Sequence, residues 1–197
     1  MEDIIISISD TTDAELIARV LAGARDDYAE LIRRHHPRIL GLCRSLLGDE
    51  ALAEDAAQEV FLKAYERLRN YRGDAAFSTW LYRVASNRCL DERRRQARAR
   101  SESLDAWSES ERESLRDLPS GADEESRRED ADLAARALEG LPDDYRRILL
   151  LREVEGLDYK ELAEVLDCSL DSVKAKLRRA RERLRESLRH ILGGTGV

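Results

Sequence analysis

The chain has 197 residues, 34 of them Lys or Arg and 41 Asp or Glu, for a formal net charge of −7. That length holds one ordinary domain or two small ones, and 38 % charged residues leave only modest cores, so two small helical units are expected. Three prolines and ten glycines against abundant Ala, Leu, Arg and Glu disfavour a sheet-rich fold and predict an all-α class.

No stretch approaches the ~20 apolar residues of a membrane span, and the first residues lack the basic and apolar blocks of a signal peptide. The expected setting is cytoplasmic, without membrane insertion. Cys43, Cys89 and Cys168 stand far apart and fit neither a CxxC metal pattern nor an even-numbered disulfide framework, so they are expected to be buried thiols. No cofactor, metal or catalytic set is expected, because no nucleophile and base can be paired by spacing. The acidic balance is local. Residues 101–132 hold twelve acids against four arginines, whereas Arg83–Arg100 holds seven arginines against two acids and Leu170–His190 eight Lys or Arg against three. An acidic chain thus contains two cationic helices.

Along the chain, apolar residues first recur at helical spacing: Leu16, Ile17, Val20 and Leu21, then Tyr28, Leu31 and Ile32, then Ile39, Leu42, Cys43, Leu46 and Leu47. Pro37 and Gly48 are read as breaks between these helices. The adjacent His35 and His36 point to different sides and are expected at a solvated surface. In "LAEDAAQEVFLKAYERL", Ala53, Ala57, Val60, Phe61, Ala64 and Leu68 form a core stripe. Asp55, Gln58, Glu59 and Leu62 gather on the outward side, either as a solvated face with a stray leucine or as a docking surface for a basic partner helix.

After a loop over Asn70–Ala76, marked by Gly73 and Asp74, comes "FSTWLYRVASNRCLDERRR", which Ser78 or Thr79 is placed to cap. Phe77, Trp80, Leu81 and Val84 share one side and anchor the helix by large rigid side chains. Asn87 lies at the edge of that side, where a primary amide needs a partner. Arg83, Arg88, Arg93, Arg94 and Arg95 surround and follow it. With Tyr71, this supplies parts for gripping a separated DNA strand: phosphate charges plus a stacking surface. A merely solvated basic helix end is the other reading.

The acidic segment 101–132 is Ser-rich, carries Pro119-Ser120-Gly121, shows no sustained apolar stripe and is read as a flexible linker. It divides the chain into residues 1–100 and 133–197. In the second unit Leu141-Pro142-Asp143 separates two helices. Tyr159–Leu166 is a short helix with Leu162, Ala163 and Leu166 inward, and Asp167–Ser169 is a tight turn. A long helix follows, with Leu170, Val173, Leu177, Ala180, Leu184, Leu188 and Ile191 as its stripe. This is helix-turn-helix form, with Ser169 as N-cap and Lys174, Lys176, Arg178, Arg179, Arg181 and Arg185 off the stripe, where a major groove offers phosphates and base edges.

Taken together, "EDAAQEVFLKAYERL", "YRGDAAFSTWLYRVASNRCLDERRR" and "LPDDYRRILLLREVEGLDYKELAEVLDCSLDSVKAKLRRARERL" resemble, in order, the three signature blocks of extracytoplasmic-function sigma factors. The resemblance implies a non-enzymatic initiation factor that binds bacterial core RNA polymerase and promoter DNA, takes no small-molecule substrate and answers to an anti-sigma factor. It also implies that Asp55, Gln58, Glu59 and Leu62 dock on the polymerase. The loop residues Tyr71, Arg72, Ala75 and Ala76, with Asn87, Arg83, Arg88 and Arg93, would take an unpaired base and strand of the −10 element. Lys174, Ala175, Arg178 and Arg179 would face base edges of the −35 element, with Lys176 and Arg181 on phosphates. A helix-turn-helix regulator binding operators as a dimer, the rival, has no use for the Phe77–Arg95 block; a helical scaffold would show no salt-dependent DNA affinity.

Overall fold

The structure, a computed structural model, describes residues 11–104 and 133–193, and every regular element in them is helical. Helix α1 (Asp13–Leu21) starts in a capping box. The Thr12 hydroxyl accepts from the Glu15 N–H at 3.3 Å, and the Glu15 carboxylate accepts from the Thr12 N–H at 2.8 Å. A 3₁₀ turn, Arg25–Asp27, leads into α2 (Tyr28–Leu47). Pro37, expected to break this helix, lies within it on an exposed side. Proline forgoes one intrahelical bond, and on a water-facing side the orphaned carbonyl is hydrated, so the helix continues. Gly48, at φ 70°, ends α2 in the left-handed conformation.

Helix α3 (Glu50–Arg67) is capped by Asp49, whose carboxylate accepts from the Leu52 N–H at 2.9 Å. The expected stripe is buried throughout, with Ala56 added to it. Its small alanines let α3 lie close against α2 and α4. After a 3₁₀ turn (Leu68–Asn70), α4 (Phe77–Leu104) begins ahead of both expected caps, one residue before Ser78 and two before Thr79. The Trp80 N–H donates to the Ala76 carbonyl at 3.1 Å, while Thr79 is buried. The helix also runs past Arg100, where its unit was expected to end. The expected linker otherwise falls outside the described residues.

In the second half, α5 spans residues 133–139, and α6 (Asp143–Leu149) runs directly into a π turn, Leu150–Val154. All six residues from Arg146 to Leu151 are buried, and the wider turn re-registers the chain where a plain α-helix would carry part of the run outward. Helix α7 (Tyr159–Leu166) has its own capping box on Asp158 and Glu161 and ends at Asp167, φ 52°. Helix α8 (Leu170–Gly193) is capped by Ser169, whose hydroxyl accepts from the Ser172 N–H at 3.3 Å. Leu170, expected in the core stripe, is 42 % exposed, because the turn holds the first residue of α8 clear of the core, which the stripe enters at Val173. Val173, Leu177 and Ala180 are buried; Leu184, Leu188 and Ile191 are half-buried.

The two halves share one apolar core, with α7 lying on α4 and the π turn reaching α2. His35 and His36 are half-buried rather than solvated. His35 sets its ring edge against Phe77 and brings Nε2 to 2.7 Å from Asp13 Oδ2, while His36 stacks on Phe61. Cys43 on α2 and Cys89 on α4 are fully buried side by side; Cys168, in the helix-turn-helix turn, is half-buried. The contact with Cys43, and then burial, pushes the Cys89 thiol up.

Candidate nucleic-acid interface

Three surfaces emerge. The first centres on the loop between the Leu68–Asn70 turn and α4. Tyr71 packs its ring on Phe77 and Trp80 at 5.5 Å between centroids, and its hydroxyl donates to the Ala75 carbonyl at 2.6 Å. Gly73, at φ 76°, turns the chain between them. The braced loop borders a cleft of about 390 Å³ that includes Thr79, Trp80 and Arg83. Arg72, exposed, and Ala75, half-buried, line it, whereas Ala76 is exposed but outside its lining.

Along α4 from this cleft, the expected strand-binding side chains already have partners. Asn87 Oδ1 accepts from Arg147 Nη2 at 2.9 Å, Arg83 donates to Asp167 at 3.3 Å, and Arg93 Nε donates to Asp143 at 2.5 Å. Arg88 is bidentate on Glu59, at 2.7 and 2.9 Å, and also reaches Glu92 at 3.0 Å. Arg88 therefore belongs geometrically with the second surface.

That surface is the outward strip of α3. Leu62 is 64 % exposed, and Asp55 and Gln58 are exposed beside it. With Glu59, Arg88 and Arg95 they border a cleft of about 270 Å³. Its floor is Glu92, only 3 % exposed, bonded to Arg95 at 2.7 Å and to Arg88. The two guanidiniums, Arg95 foremost, hold its carboxyl below the ordinary value of 4.5. A carboxyl lowered by folding stabilises the fold above its unfolded pKa and ceases to do so as pH falls through its folded value. Thermal melts should therefore show the wild-type midpoint declining below about pH 4.5, with Glu92→Gln flattening that decline. An equal decline in both proteins would place the acid sensitivity elsewhere.

The third surface is the outer face of α8. Lys174, Arg178 and Arg179 are exposed, and Ala175, Lys176 and Arg181 half-buried. Lys174 pairs with Asp171 and Arg178 with Glu182, each within α8, while Arg181 donates through Nε and Nη2 to the single oxygen Oε1 of Glu153. Among the described residues Lys176 and Arg179 meet no carboxylate. Exposed pairs of this kind are weak enough for phosphates to displace.

Arg146 and Arg147 are the functional side chains that sequence reasoning missed. Arg146, 3 % exposed, donates to the carbonyls of Leu138, Glu139 and Leu46, tying α6 to α5 and α2. Arg147, 7 % exposed, bridges Asn87 and the Val165 carbonyl, and burial draws its pKa down to about 10. Their signal was available: two arginines embedded in the apolar run "YRRILLL" must find carbonyls or anions once that run is buried.

A basic helix-turn-helix joined in one chain to a helical unit with an aromatic-braced cleft is the layout of a promoter-recognition subunit. Two family models fit it: Sigma-70 region 2 over residues 31–99 and Sigma-70, region 4 over residues 131–184. The chain is 35 % identical over 184 residues to the RNA polymerase sigma-H factor of Pseudomonas aeruginosa, covering 91 % of this chain and 95 % of that one. It is 31 % identical over 186 residues to the ECF RNA polymerase sigma-E factor of Haemophilus influenzae, covering 92 % and 97 %. The fold matches the sigma factor RpoE in complex with the anti-sigma factor NepR from Bartonella quintana, with TM-score 0.63, 23 % identity and coverage of 83 % and 97 %. It also matches CnrH in complex with the cytosolic domain of CnrY, with TM-score 0.64, 24 % identity and coverage of 88 % and 94 %. The chain belongs to the extracytoplasmic-function class of RNA polymerase sigma factors. Such a factor is not an enzyme, and no helix among the described residues is long and apolar enough to cross a membrane.

Proposed function

We propose that this sigma factor joins bacterial core RNA polymerase in the cytoplasm and brings it to promoters, with residues 1–100 and 133–197 as separate recognition units and 101–132 as their linker. Asp55, Gln58, Glu59 and Leu62 dock on the polymerase, with Arg88 holding Glu59 in place. Tyr71, Arg72, Ala75 and Ala76 form the rim that receives an unpaired base of the −10 element, and Arg83, Asn87 and Arg93 hold its strand. Capture then selects DNA that is already open, because unstacking is repaid only where the cleft and arginines engage. Lys174, Ala175, Arg178 and Arg179 face base edges of the −35 duplex, and Lys176 and Arg181 its phosphates. An anti-sigma factor completes the partner set, a reading supported by the complexes of the two structural relatives.

The observation that carries this reading is the one-sided basic face of α8, presented by a helix-turn-helix on the same chain as the exposed Leu62 strip. Run-off transcription with purified core polymerase on fragments of the source genome tests it. Wild type should start transcripts at discrete sites, and a wild type that never associates with core enzyme refutes the reading. Lys176→Ala with Arg179→Ala should keep core association but weaken duplex binding about tenfold or more at 0.15 M salt. The slope of log affinity against log salt should fall by about one for each phosphate no longer neutralised, read by fluorescence anisotropy. An unchanged slope would clear both residues of any part in DNA binding.

A further inference from the structure

An acid stands on the face of α8 assigned to duplex DNA, and the fold makes little use of it. At about 100° per residue, Asp171, Lys174, Ala175 and Arg178 share one outward line on the helix. Asp171 opens that line in the first turn, and its side chain is 92 % exposed. An acid at this place commonly serves the helix itself, by capping N–H groups or by answering the dipole. Here Ser169 already supplies the cap. Among the described residues the one polar partner of the Asp171 carboxylate is Lys174, whose Nζ donates to Oδ1 at 3.2 Å, and Oδ2 accepts nothing. An exposed pair of this kind adds little to stability.

On a face that approaches DNA, a free carboxylate costs affinity. Phosphates are anionic, and the major groove is lined mainly with acceptors: N7 and O6 of guanine, N7 of adenine and O4 of thymine. The groove offers two donors, the amino groups of cytosine and adenine. Adenine carries its N7 acceptor beside that amino group, where it would repel the second carboxylate oxygen; cytosine carries no such neighbour. Cytosine is therefore the base a carboxylate accepts best. Its partner completes the match. Guanine sets O6 and N7 beside the cytosine amino group, just as Lys174 sets its ammonium beside the Asp171 carboxylate. The residues at the N-terminal end of a recognition helix reach base edges, and this pair lies there.

We infer that Asp171 and Lys174 act together as a reader of one C·G pair in the −35 duplex, Asp171 accepting from the cytosine N4 amino group and Lys174 donating to guanine O6 or N7. The inference rests on the assignment of α8 to the −35 duplex proposed above. Asp171 works mainly by exclusion. Over guanine or thymine its carboxylate faces acceptors and stays unpaired, so the wrong base is penalised more than the right one is rewarded. The ammonium of Lys174 has three donors and gives one to Asp171, which leaves two for the guanine. General affinity for DNA falls, and selectivity at one base pair rises.

The test uses holoenzyme assembled from the full chain and core polymerase, on one promoter mapped by the run-off assay above. Each base pair of its −35 segment is changed in turn to the other three. Fluorescence anisotropy at fixed salt then reads binding by wild type, Asp171→Ala and Asp171→Asn. In wild type, replacing one particular C·G pair should cost about tenfold in affinity. Asp171→Ala should cut that penalty to about twofold or less while leaving the penalties at other positions in place. Asp171→Asn should turn the preference there toward A·T, since an amide is bidentate on adenine. A change of equal size at every position would mean that Asp171 acts on the phosphates by charge alone, and it would overturn the inference. So would an unchanged pattern, or loss of binding to every sequence. Should Asp171→Ala lose helicity by circular dichroism, the near-isosteric Asp171→Asn decides by the same readout. Wild-type transcripts with an unmoved pattern in the variants strike this inference alone, whereas no transcripts at all strike the proposed function and this inference with it.

Discussion

Leu62→Asp should leave the protein folded and sever it from core polymerase. Nothing in the fold depends on this side chain, which is 64 % exposed on α3 above the cleft floored by Glu92. An apolar residue ringed by Asp55, Gln58 and Glu59 has the make-up of an interface anchor: it contributes when a partner desolvates it and contributes little before. A carboxylate there would be buried unpaired against the partner, and loss of a central anchor typically costs about 2–4 kcal/mol. That corresponds to a roughly 30- to 1000-fold weaker complex. Biolayer interferometry against immobilised core enzyme reads the loss, and an unchanged circular dichroism melt shows that the fold survives. Wild-type affinity in the variant would move the docking surface off α3.

The second large effect falls on stability. Arg146→Met keeps most of the buried apolar stem and removes the guanidinium, which leaves the Glu139 carbonyl without its side-chain donor and the Leu138 and Leu46 carbonyls with the Leu141 N–H and Arg93 Nη1 alone. Leaving a buried acceptor unpaired costs about 1–3 kcal/mol when no water replaces the donor, so a loss of roughly 1–3 kcal/mol is expected. At about 2–4 °C per kcal/mol for a chain of this size, the melting midpoint should fall by roughly 2–12 °C. Arg146→Lys should not restore it, because an ammonium is a single point donor and the three carbonyls are spread across a fork. A midpoint within a degree or two of wild type would mean the guanidinium is dispensable to the α2–α5–α6 junction.

What sequence reading reached, it reached through periodicity. The α3 stripe from Ala53 to Leu68, the bounds of α7 and the turn at Asp167–Ser169 follow from 3.6-residue spacing and turn chemistry, both local properties. The exposed strip at Leu62 and the basic face of α8 are the complements of those stripes and were legible with them. Pro37 misled because a proline is a break only where the helix cannot spare the bond, and the sequence does not say which side faces water. Thr79 looked like a cap by type, yet its hydroxyl serves Glu161, 82 residues away. The same holds for Arg83, Arg93 and Asn87, whose partners Asp167, Asp143 and Arg147 lie across the linker. Pairings over such separations leave no periodic trace, so the sequence showed a cationic helix but not the partners it meets in the second half.

The neighbouring Cys43 and Cys89 sit where α2 meets α4, with neither sulfur open to solvent. An alkylating reagent can reach them only when those helices part, whereas Cys168 lies nearer the surface. The unmodified protein thus carries its own clock. The rate at which a maleimide consumes the slow pair counts openings of the first unit, and mass spectrometry can follow that count inside an extract without any added label.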